Sequence, residues 1–393
     1  MLRNSMIFVS LIVAFILTSL YPVDANAIPA FARKYKVSCS TCHAPVPKLK
    51  AYGAEFAGNG FVIPEEEKER DYVTAGDPLL WLNRDFPIAA RFDAYGIYEP
   101  DSEVKNDLQV PWGVKLLSGG ALYKNIGYYF YFYLSERGEV AGIEDAYLHF
   151  NNIFKQEFDI MVGQFQTSDP LMKRELRLTF EDYKLYTQRI GLSGLNLTYD
   201  RGIMLTYGIG KTATDLVGFV VNGDGIGAAD EDSRKFDNDD TKNFGFRILQ
   251  GIGDIASIGA FYYNGQETLV DSSRKNTINY IGPDVNIVVG KFEFTGQYLL
   301  RTDKNPLFIA NPKDIETNSY IAELIFAPKK DASRWYVTAL YNQIDSDLEG
   351  YDYETITLSP SYLIARNLRV LAEFTRDTES ETNRVVVGLV SAF

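Results

Sequence analysis

Cysteine and histidine are scarce in this 393-residue chain, which has two of each. The two cysteines, Cys39 and Cys42, are three positions apart and cannot form the disulfide framework that stabilises many small exported domains. A net charge of −13 makes the chain a poor ligand for nucleic acid. No arrangement of residues typical of acid–base or nucleophilic catalysis is found.

Long apolar runs are missing after the first residues. The apolar segment 7–17 follows Arg3, and Ala25 and Ala27 then form a small-residue cleavage pattern, which is typical of a secretory signal. A transmembrane helix is the alternative, but the run is short and Pro22 follows it. We therefore predict export, with cleavage after Ala27.

Aromatic residues and glycine are abundant, with 26 Tyr, 25 Phe and 31 Gly. From about Ile88, polar residues such as Arg369 and Glu373 alternate with apolar ones. Alternation suits a barrel with a polar lumen and a lipid-facing exterior, although a soluble sandwich has the same period. The predicted strands are 88–98, 110–122, 126–136, 142–151, 156–166, 197–210, 214–222, 243–251, 255–265, 277–288, 291–301, 317–327, 333–343, 353–363, 367–377 and 383–393.

The lengths of the connections distinguish a barrel from a sandwich. Short and long connections alternate along the chain, as they do when periplasmic turns and extracellular loops lie on opposite sides of an outer membrane. The chain also ends on an aromatic residue, Phe393, which resembles the terminal signal of such barrels. The sequence therefore predicts an all-β fold, a transmembrane antiparallel β-barrel of about sixteen strands. The predicted short turns are 124–125, 152–155, 211–213, 252–254, 290, 328–332 and 364–366, and the predicted long loops are 99–109, 137–141, 167–196, 223–242, 266–276, 302–316, 344–352 and 378–382.

Two features of the barrel region need special geometry. Pro283 and Pro360 fall inside predicted strands, so each requires a bulge or a position free of ladder hydrogen bonds. The long connection 167–196 contains a helix-like piece. It forms either a constriction folded into the lumen or an additional hairpin.

The N-terminal region differs from the barrel. We predict three parts: a signal peptide over 1–27, a small, mainly helical segment with its linker over 28–86, and the barrel over 87–393. The spacing of Leu49, Tyr52 and Phe56 predicts a helix that begins at Pro47 and stops at Gly58 or Gly60. The charged run 65–71 is typical of a solvated linker.

Residues 39–43 read Cys-Ser-Thr-Cys-His, the attachment signature of a c-type haem. Two thiols on one turn can each form a thioether to the porphyrin, and the adjacent His43 is then held below the iron as its proximal ligand. A redox-active or structural disulfide between Cys39 and Cys42 is the alternative. Such a disulfide needs no adjacent histidine, so we predict one covalent haem c.

The sixth ligand of that iron is open. Imidazole and thioether are the usual donors, and the candidates are His149, Met161, Met172 and Met204. The alternation in its strand places His149 in the lumen, where it serves either as the distal ligand or as a hydrogen-bonded polar residue. Ordinary packing is the alternative for each methionine, and a five-coordinate iron is a further possibility.

Two aspartate-rich loops, 223–242 and 345–354, offer hard oxygen ligands that could gather Fe²⁺ or Ca²⁺. Their spacing does not match an EF-hand. A solvated surface loop is the simpler interpretation.

The block from Ile28 to Phe61 resembles the haem segment of the fused monohaem cytochrome–porins of the outer membrane, whose best-known members are iron oxidases. The resemblance implies haem attachment at both cysteines, iron ligation by His43 and a haem segment that plugs a sixteen-stranded barrel. It also implies electron transfer across a Gram-negative outer membrane, from extracellular Fe(II) or another reductant to a periplasmic cytochrome c or similar acceptor, as in an Fe(II):cytochrome c oxidoreductase. The matching positions are Pro29, Phe31, Ala32, Cys39, Cys42, His43, Pro47, Leu49, Gly53, Phe56, Gly60 and Phe61.

Three other functions compete with this one. The chain could be a solute-selective porin whose haem segment gates or senses. It could export electrons to an extracellular acceptor, or it could be a soluble periplasmic cytochrome with a β-sandwich partner domain.

Overall fold

The computed structural model describes residues 30–63, 66, 76–77, 79–80, 82, 86–168, 173–269 and 274–393. The predicted signal peptide and Met172 lie outside the described residues, as does most of the predicted linker. Among the helices of the described ranges, none is long and apolar enough to cross a bilayer.

Sixteen antiparallel strands form one closed barrel, in which each strand pairs with its neighbours in sequence and β1 pairs with β16. The closing pair is extended by two hydrogen bonds between Ala90 and Phe393, of 2.7 and 2.8 Å. The predicted number and order of strands are therefore confirmed. The strands are β1 Ile88–Tyr98, β2 Asn106–Tyr123, β3 Ile126–Glu136, β4 Gly142–Phe150, β5 Phe158–Gln166, β6 Tyr199–Ile209, β7 Thr214–Val221, β8 Asn243–Ile252, β9 Ala256–Leu269, β10 Arg274–Val289, β11 Phe292–Asp303, β12 Ile315–Phe326, β13 Trp335–Ser346, β14 Tyr353–Ala365, β15 Leu368–Asp377 and β16 Asn383–Ala392.

Burial follows the period of two that the strands show in sequence. On β15 the charged side chains of Arg369 and Glu373 are each only 2% exposed, whereas Phe374, next to Glu373, is 48% exposed. Successive side chains of a strand point to opposite faces, so polar residues line the interior and apolar residues form the outer surface.

The two ends of the barrel differ. Short connections join β2 to β3, β10 to β11 and β14 to β15 at one end, which we call the turn end. Long connections, including 167–198 and 222–242, lie at the other, which we call the loop end. This sorting agrees with the prediction. The predicted long loop 266–276 is an exception, because β9 continues to Leu269 and β10 already begins at Arg274. The loop-end connections 137–141 and 378–382 are also short, at five residues each.

Pro283 and Pro360 each occupy a strand position without a ladder partner on one side. Pro283 pairs with Ala260 of β9, and Pro360 pairs with Val337 of β13. Towards β11 and β15, respectively, the registered pairs skip each proline without a shift in register. A proline lacks a backbone N–H, and at these two positions the neighbouring strand needs no hydrogen-bond donor from it.

The described part of the N-terminal segment contains three short helices: α1 Ala30–Tyr35, α2 Cys39–Cys42 and α3 Ala51–Gly58. The stop at Gly58 is as predicted, but the helix begins at Ala51 and not at Pro47. Leu49 instead forms a β-bridge with His43. Tyr52 is 44% exposed, whereas Phe56 is buried, so only part of the predicted apolar face is used.

Candidate functional site

The cysteine motif forms a single helical turn. Ser38 caps α2, because its side-chain oxygen accepts a hydrogen bond from the backbone N–H of Ser40. The N–H of His43 donates to the carbonyl oxygen of Cys39 at 2.9 Å and closes the turn. Residues three apart in a helix lie on the same face. The thiols of Cys39 and Cys42 therefore share one side of the turn, and they are not joined in a disulfide.

The ring of His43 is fixed by a backbone carbonyl. Its Nδ1 donates to the carbonyl oxygen of Pro47 at 2.7 Å. Histidines that bind metals usually donate their other ring N–H in this way, which leaves Nε2 as the ligand atom. Burial lowers the pKa of His43, so the imidazole stays neutral, as a metal ligand must be.

Burial raises the pKa of both thiols, against the opposing charges of Arg366 near Cys39 and Lys50 near Cys42. Reactive cysteines of thioredoxin-like sites have the opposite property, a lowered pKa. These two thiols therefore lack the electrostatic activation of a redox-active cysteine pair.

Helix α3 packs directly on the motif at a glycine. A Cβ atom added to Gly53 would lie 2.3 Å from the carbonyl oxygen of Cys42, so only glycine permits this approach. Aromatic rings support the helix from the other side. The Phe31 ring lies 5.3 Å from the ring of Phe56 and 5.1 Å from that of Phe61.

Charged side chains connect the motif region to the inner wall of the barrel. Lys48 Nζ lies 2.7 Å from Glu293 on β11 and 3.9 Å from Glu323 on β12. Lys50 Nζ pairs with Asp331 in the turn between β12 and β13, at 2.8 Å. All of these partners lie at the turn end, so the motif is held at that end of the lumen.

The other end of the segment contacts the opposite wall. The Asn151 side chain donates to the carbonyl oxygen of Asn59 at 2.9 Å, and the ring of Phe61 stacks on that of Tyr129 at 4.5 Å. Backbone contact is also close, because a Cβ on Gly127 would lie 2.5 Å from the carbonyl oxygen of Gly60. The segment therefore extends across the lumen from wall to wall.

The long connection 167–198 folds into the lumen and forms no additional hairpin in its described part. It contains a 3-10 turn at Arg174–Leu176 and a short helix, α4, at Lys184–Thr187. Glu373 of β15 accepts hydrogen bonds from the backbone N–H groups of Phe180 and Glu181, at 2.7 and 2.8 Å. Of the two predicted alternatives, a constriction in the lumen or an additional hairpin, the structure has the constriction.

A cavity of about 300 Å³ lies between the segment, this loop and the wall. Lys48 and Leu49 line it from below, Tyr183 lines it from the loop, and the Tyr183 hydroxyl donates to Glu323 at 2.9 Å. Gln297 also borders the cavity. Its side chain is 5% exposed, and its Nε2 has no hydrogen-bond partner within the described residues.

The candidate distal ligands lie elsewhere on the wall. His149 is buried on β4, and its cross-strand partner on β5 is Met161, which in turn pairs with Met204 of β6. His149 Nδ1 is buried without a partner in the described part of the chain, and its Nε2 lies 4.0 Å from Asp159. The structure thus brings His149 and Met161 together.

His149 and His43 are not joined by any hydrogen bond, ion pair or ring contact among the described residues. The motif is tied to β11 and β12, and β4 lies across the closed sheet from β12, eight strand steps away in either direction. His149 instead lies near Asn151, which holds the C-terminal end of α3. The role of His149 and Met161 at the iron therefore stays a prediction.

The acidic loop 222–242 has internal partners. Lys242 pairs with Asp237, and the backbone N–H of Asn238 donates to Asp224 at 2.7 Å. Burial, followed by the charges of Asp237 and Asp239, raises the pKa of Asp224 to about 6. Within the described ranges, no group of three or more His, Cys, Asp or Glu side chains could hold a metal ion.

Several site residues were not predicted from sequence. Pro47 suggests a helix start, but its carbonyl oxygen orients His43. Lys48 and Lys50 belong to a basic cluster that gives no hint of their partners, because Glu293 and Asp331 lie more than two hundred residues away in sequence.

No protein-family model matches the chain, and no curated protein is similar to it. Solved structures of outer-membrane proteins share its fold. The anion-selective porin from Comamonas acidovorans matches with a TM-score of 0.58 at 11% identity, over 79% of this chain and 99% of that one. The outer membrane channel DcaP of Acinetobacter baumannii matches with a TM-score of 0.56 at 13% identity, over 79% and 97% of the two chains. A loop-deletion mutant of OmpT, an outer membrane protein of Vibrio cholerae, gives a TM-score of 0.56 at 13% identity, over 79% and 99%. At these identities the likeness shows a porin-like closed β-barrel fold.

Proposed function

We propose that this chain is an outer-membrane electron carrier, which holds one covalent haem c at the periplasmic end of a porin-like barrel. The apolar exterior and the polar interior of the sixteen strands support a place in a membrane. In an outer membrane the turn end faces the periplasm and the loop end faces outwards.

The residues of α2 fit a haem c. Cys39 and Cys42 would hold it through thioethers, and His43 would bind the iron through Nε2. Bound there, haem supplies one-electron chemistry between Fe(II) and Fe(III). The hydrogen bond from His43 Nδ1 to Pro47 is the observation that carries the proposal, because a cysteine pair forming a disulfide has no use for an oriented neutral imidazole.

The remaining residues position the site and close the lumen. Lys48 and Lys50 fix the segment to the wall, while Phe180 and Tyr183 of the long connection fill the interior above it. A closed lumen limits the passage of solutes, and electrons need no open pore. This division of roles supports a conduit and argues against a general diffusion channel.

The donor we propose is extracellular Fe(II), and the acceptor is a periplasmic cytochrome c or similar carrier. The acidic loop 222–242 at the outer end would attract cations without forming a fixed metal site. The alternative function, export of electrons to an extracellular acceptor, would use the same residues.

A second candidate is a solute-selective porin whose haem segment acts as a gate. The cavity of about 300 Å³ beside Lys48 favours it, because the unpartnered Gln297 Nε2 leaves a hydrogen-bond donor facing polar space. Such a porin would pass solutes when the segment moves.

Two measurements test these proposals. The purified protein should carry the mass of one porphyrin at Cys39 and Cys42, and its reduced-minus-oxidised spectrum should develop as Fe(II) is added. Liposomes that contain a redox dye should lose its colour when reductant is added outside, without leaking small solutes. Absence of porphyrin would refute the electron carrier, and leakage without dye reduction would favour the gated porin.

A further inference from the structure

In the connections of the turn end, exposed basic residues outnumber acidic ones, although the chain as a whole has a net charge of −13. Acidic residues dominate the loop end, for example in 222–242 and 345–352. In the seven short turns the basic residues are Lys124, Lys155, Lys211, Lys291, Lys329, Lys330, Arg334 and Arg366, against the acidic Glu157, Asp254 and Asp331.

Four of these basic residues form one surface, which we call the basic patch: Lys329, Lys330, Arg334 and Arg366. The first three lie in the turn between β12 and β13, and Arg366 lies in the turn between β14 and β15. All four are exposed. Arg366 Nη1 donates to the carbonyl oxygen of Asp331 at 3.4 Å and links the two turns. No carboxylate among the described residues forms an ion pair with any of the four.

The basic patch adjoins the cysteine motif. The carboxylate of Asp331 is paired with Lys50, which also donates to the carbonyl oxygen of Ser40 at 3.0 Å, between the two cysteines. Arg366 is close enough to Cys39 to act on its thiol electrostatically. The patch therefore borders the half-buried side of the segment where the porphyrin would be attached.

We propose that the basic patch is the docking surface for an acidic, water-soluble protein that carries one electron. The proposal rests on the proposed function and adds the position and the charge of the partner's binding surface. Unpaired cations around a redox site steer an anionic partner and orient it on encounter. The transfer moves one electron, so one partner is oxidised and the other is reduced, and no bond forms or breaks.

Anionic lipid is the competing ligand for exposed basic residues near a membrane. Arg334 is the member of the patch best placed for lipid, because its guanidinium lies 5.2 Å from the centre of the outward Tyr362 ring. Arg366 instead reaches Asp331, which is joined to the segment in the lumen. The part of the patch nearest the motif is therefore better placed to bind an acidic protein than to bind lipid.

The test uses the full mature protein in nanodiscs of neutral phosphatidylcholine. Two probes share one haem protein but differ in charge: mitochondrial cytochrome c in its native basic form, and the same protein with succinylated lysines. Binding is measured by biolayer interferometry at low and high salt. The test variant is Lys329→Glu/Arg366→Glu. The control is Lys124→Glu/Lys211→Glu, which changes the net charge equally on turns between other strands.

We expect the succinylated probe to bind more tightly than the native one, and its affinity to fall with added salt. The test variant should lose affinity by roughly tenfold or more, and the control by less than about threefold. Equal binding of both probes, or an equal loss in the control, would overturn the proposal. A parallel measurement replaces the probes with vesicles that contain phosphatidylglycerol. A loss of affinity in the test variant that is confined to these vesicles would overturn the proposal in favour of lipid.

The two proposals fail in different ways. The absorbance of the same samples reports whether haem is present. A sample without haem refutes the electron carrier, while binding of the succinylated probe still reports on the patch. A sample with haem that does not bind this probe refutes the patch alone.

Discussion

His43 Nδ1 donates to the carbonyl oxygen of Pro47, four residues later, at 2.7 Å. The bond joins the end of α2 to the stretch that leads into α3, so one contact both orients the imidazole and shapes the chain around it. The β-bridge between His43 and Leu49 holds the same stretch. The imidazole is thus positioned by contacts within the chain itself.

Replacement of this imidazole tests its role at the iron. We expect His43→Ala to abolish the sharp α-band of the reduced protein, because the proximal nitrogen is lost. Ser40→Ala lies in the same turn and should keep that band. A visible spectrum of each reduced protein decides the matter, and an unchanged α-band in His43→Ala would show that another residue binds the iron.

Gly53 permits the close approach of α3 to the motif. Gly53→Ala places a methyl group 2.3 Å from the carbonyl oxygen of Cys42, so the helix must shift. We expect a loss of about 1–3 kcal/mol in the stability of the segment, the usual cost of overpacking. Gly58→Ala is the matched control in the same helix, since its added Cβ would have no neighbour within 4 Å. Thermal loss of the haem absorbance in the two variants should separate them, and equal midpoints would contradict the packing argument.

Lys48 holds the segment against the wall. Lys48→Met removes the cation between Glu293 and Glu323, the second of which is 2% exposed. Both carboxylates then lose their counter-charge, although Glu323 keeps its hydrogen bond from Tyr183, and the contact weakens by about 1 kcal/mol. We expect larger ion currents across planar bilayers as the segment loosens. Lys124→Met, on an exposed turn, should not change the current. If both variants conduct alike, the segment does not close the lumen through this contact.

Asp182, in the long connection, should make the stability of the folded protein depend on pH. Burial raises the pKa of Asp182, but the charges of Arg177 and Arg174 together outweigh burial and hold the pKa below its usual range. A lowered folded-state pKa gives stability that is present above the unfolded-state value of about 4 and is lost as the pH falls through the folded-state value. Asp182→Asn should therefore unfold more easily than the wild type at pH 7.

The difference between Asp182→Asn and the wild type should narrow as the pH falls below about 4, because Asp182 then gains a proton in the unfolded state but not in the folded state. The heat-induced gel shift of the barrel at pH 7 and pH 3 measures this. Glu379→Gln, on an exposed loop, should match the wild type at both values. A constant difference across this range would contradict the assignment.

The barrel was predictable because its signals are local. Alternation along a strand is set by residues two positions apart, and the turns are set by their own few residues. The predicted bounds of β1 and β3 agree with the structure at both ends. Pro283 and Pro360 were predicted to need positions free of ladder bonds, and the gaps in the pairing supply them.

The arrangement inside the barrel was not predictable, because long-range pairs create it. Glu373 accepts hydrogen bonds from Phe180 and Glu181, about 190 residues earlier, and nothing in either stretch indicates the other. The same is true of Lys48 and its carboxylates. The start of α3 was misplaced for a local reason, since a proline followed by helix-forming residues has the same pattern whether its carbonyl oxygen is free or accepts from His43. The roles of His149, Met161 and Met172 at the iron stay predictions.

Lys50 joins the peptide between the two cysteines to the barrel, and this contact limits the order in which the protein can mature. Lys50 holds Ser40 from one side and Asp331 of the barrel from the other. A lyase that joins porphyrin to both sulfur atoms has to enclose this peptide, which the finished wall would obstruct. If the proposed haem is attached at Cys39 and Cys42, its attachment would therefore have to precede the folding of β12 and β13.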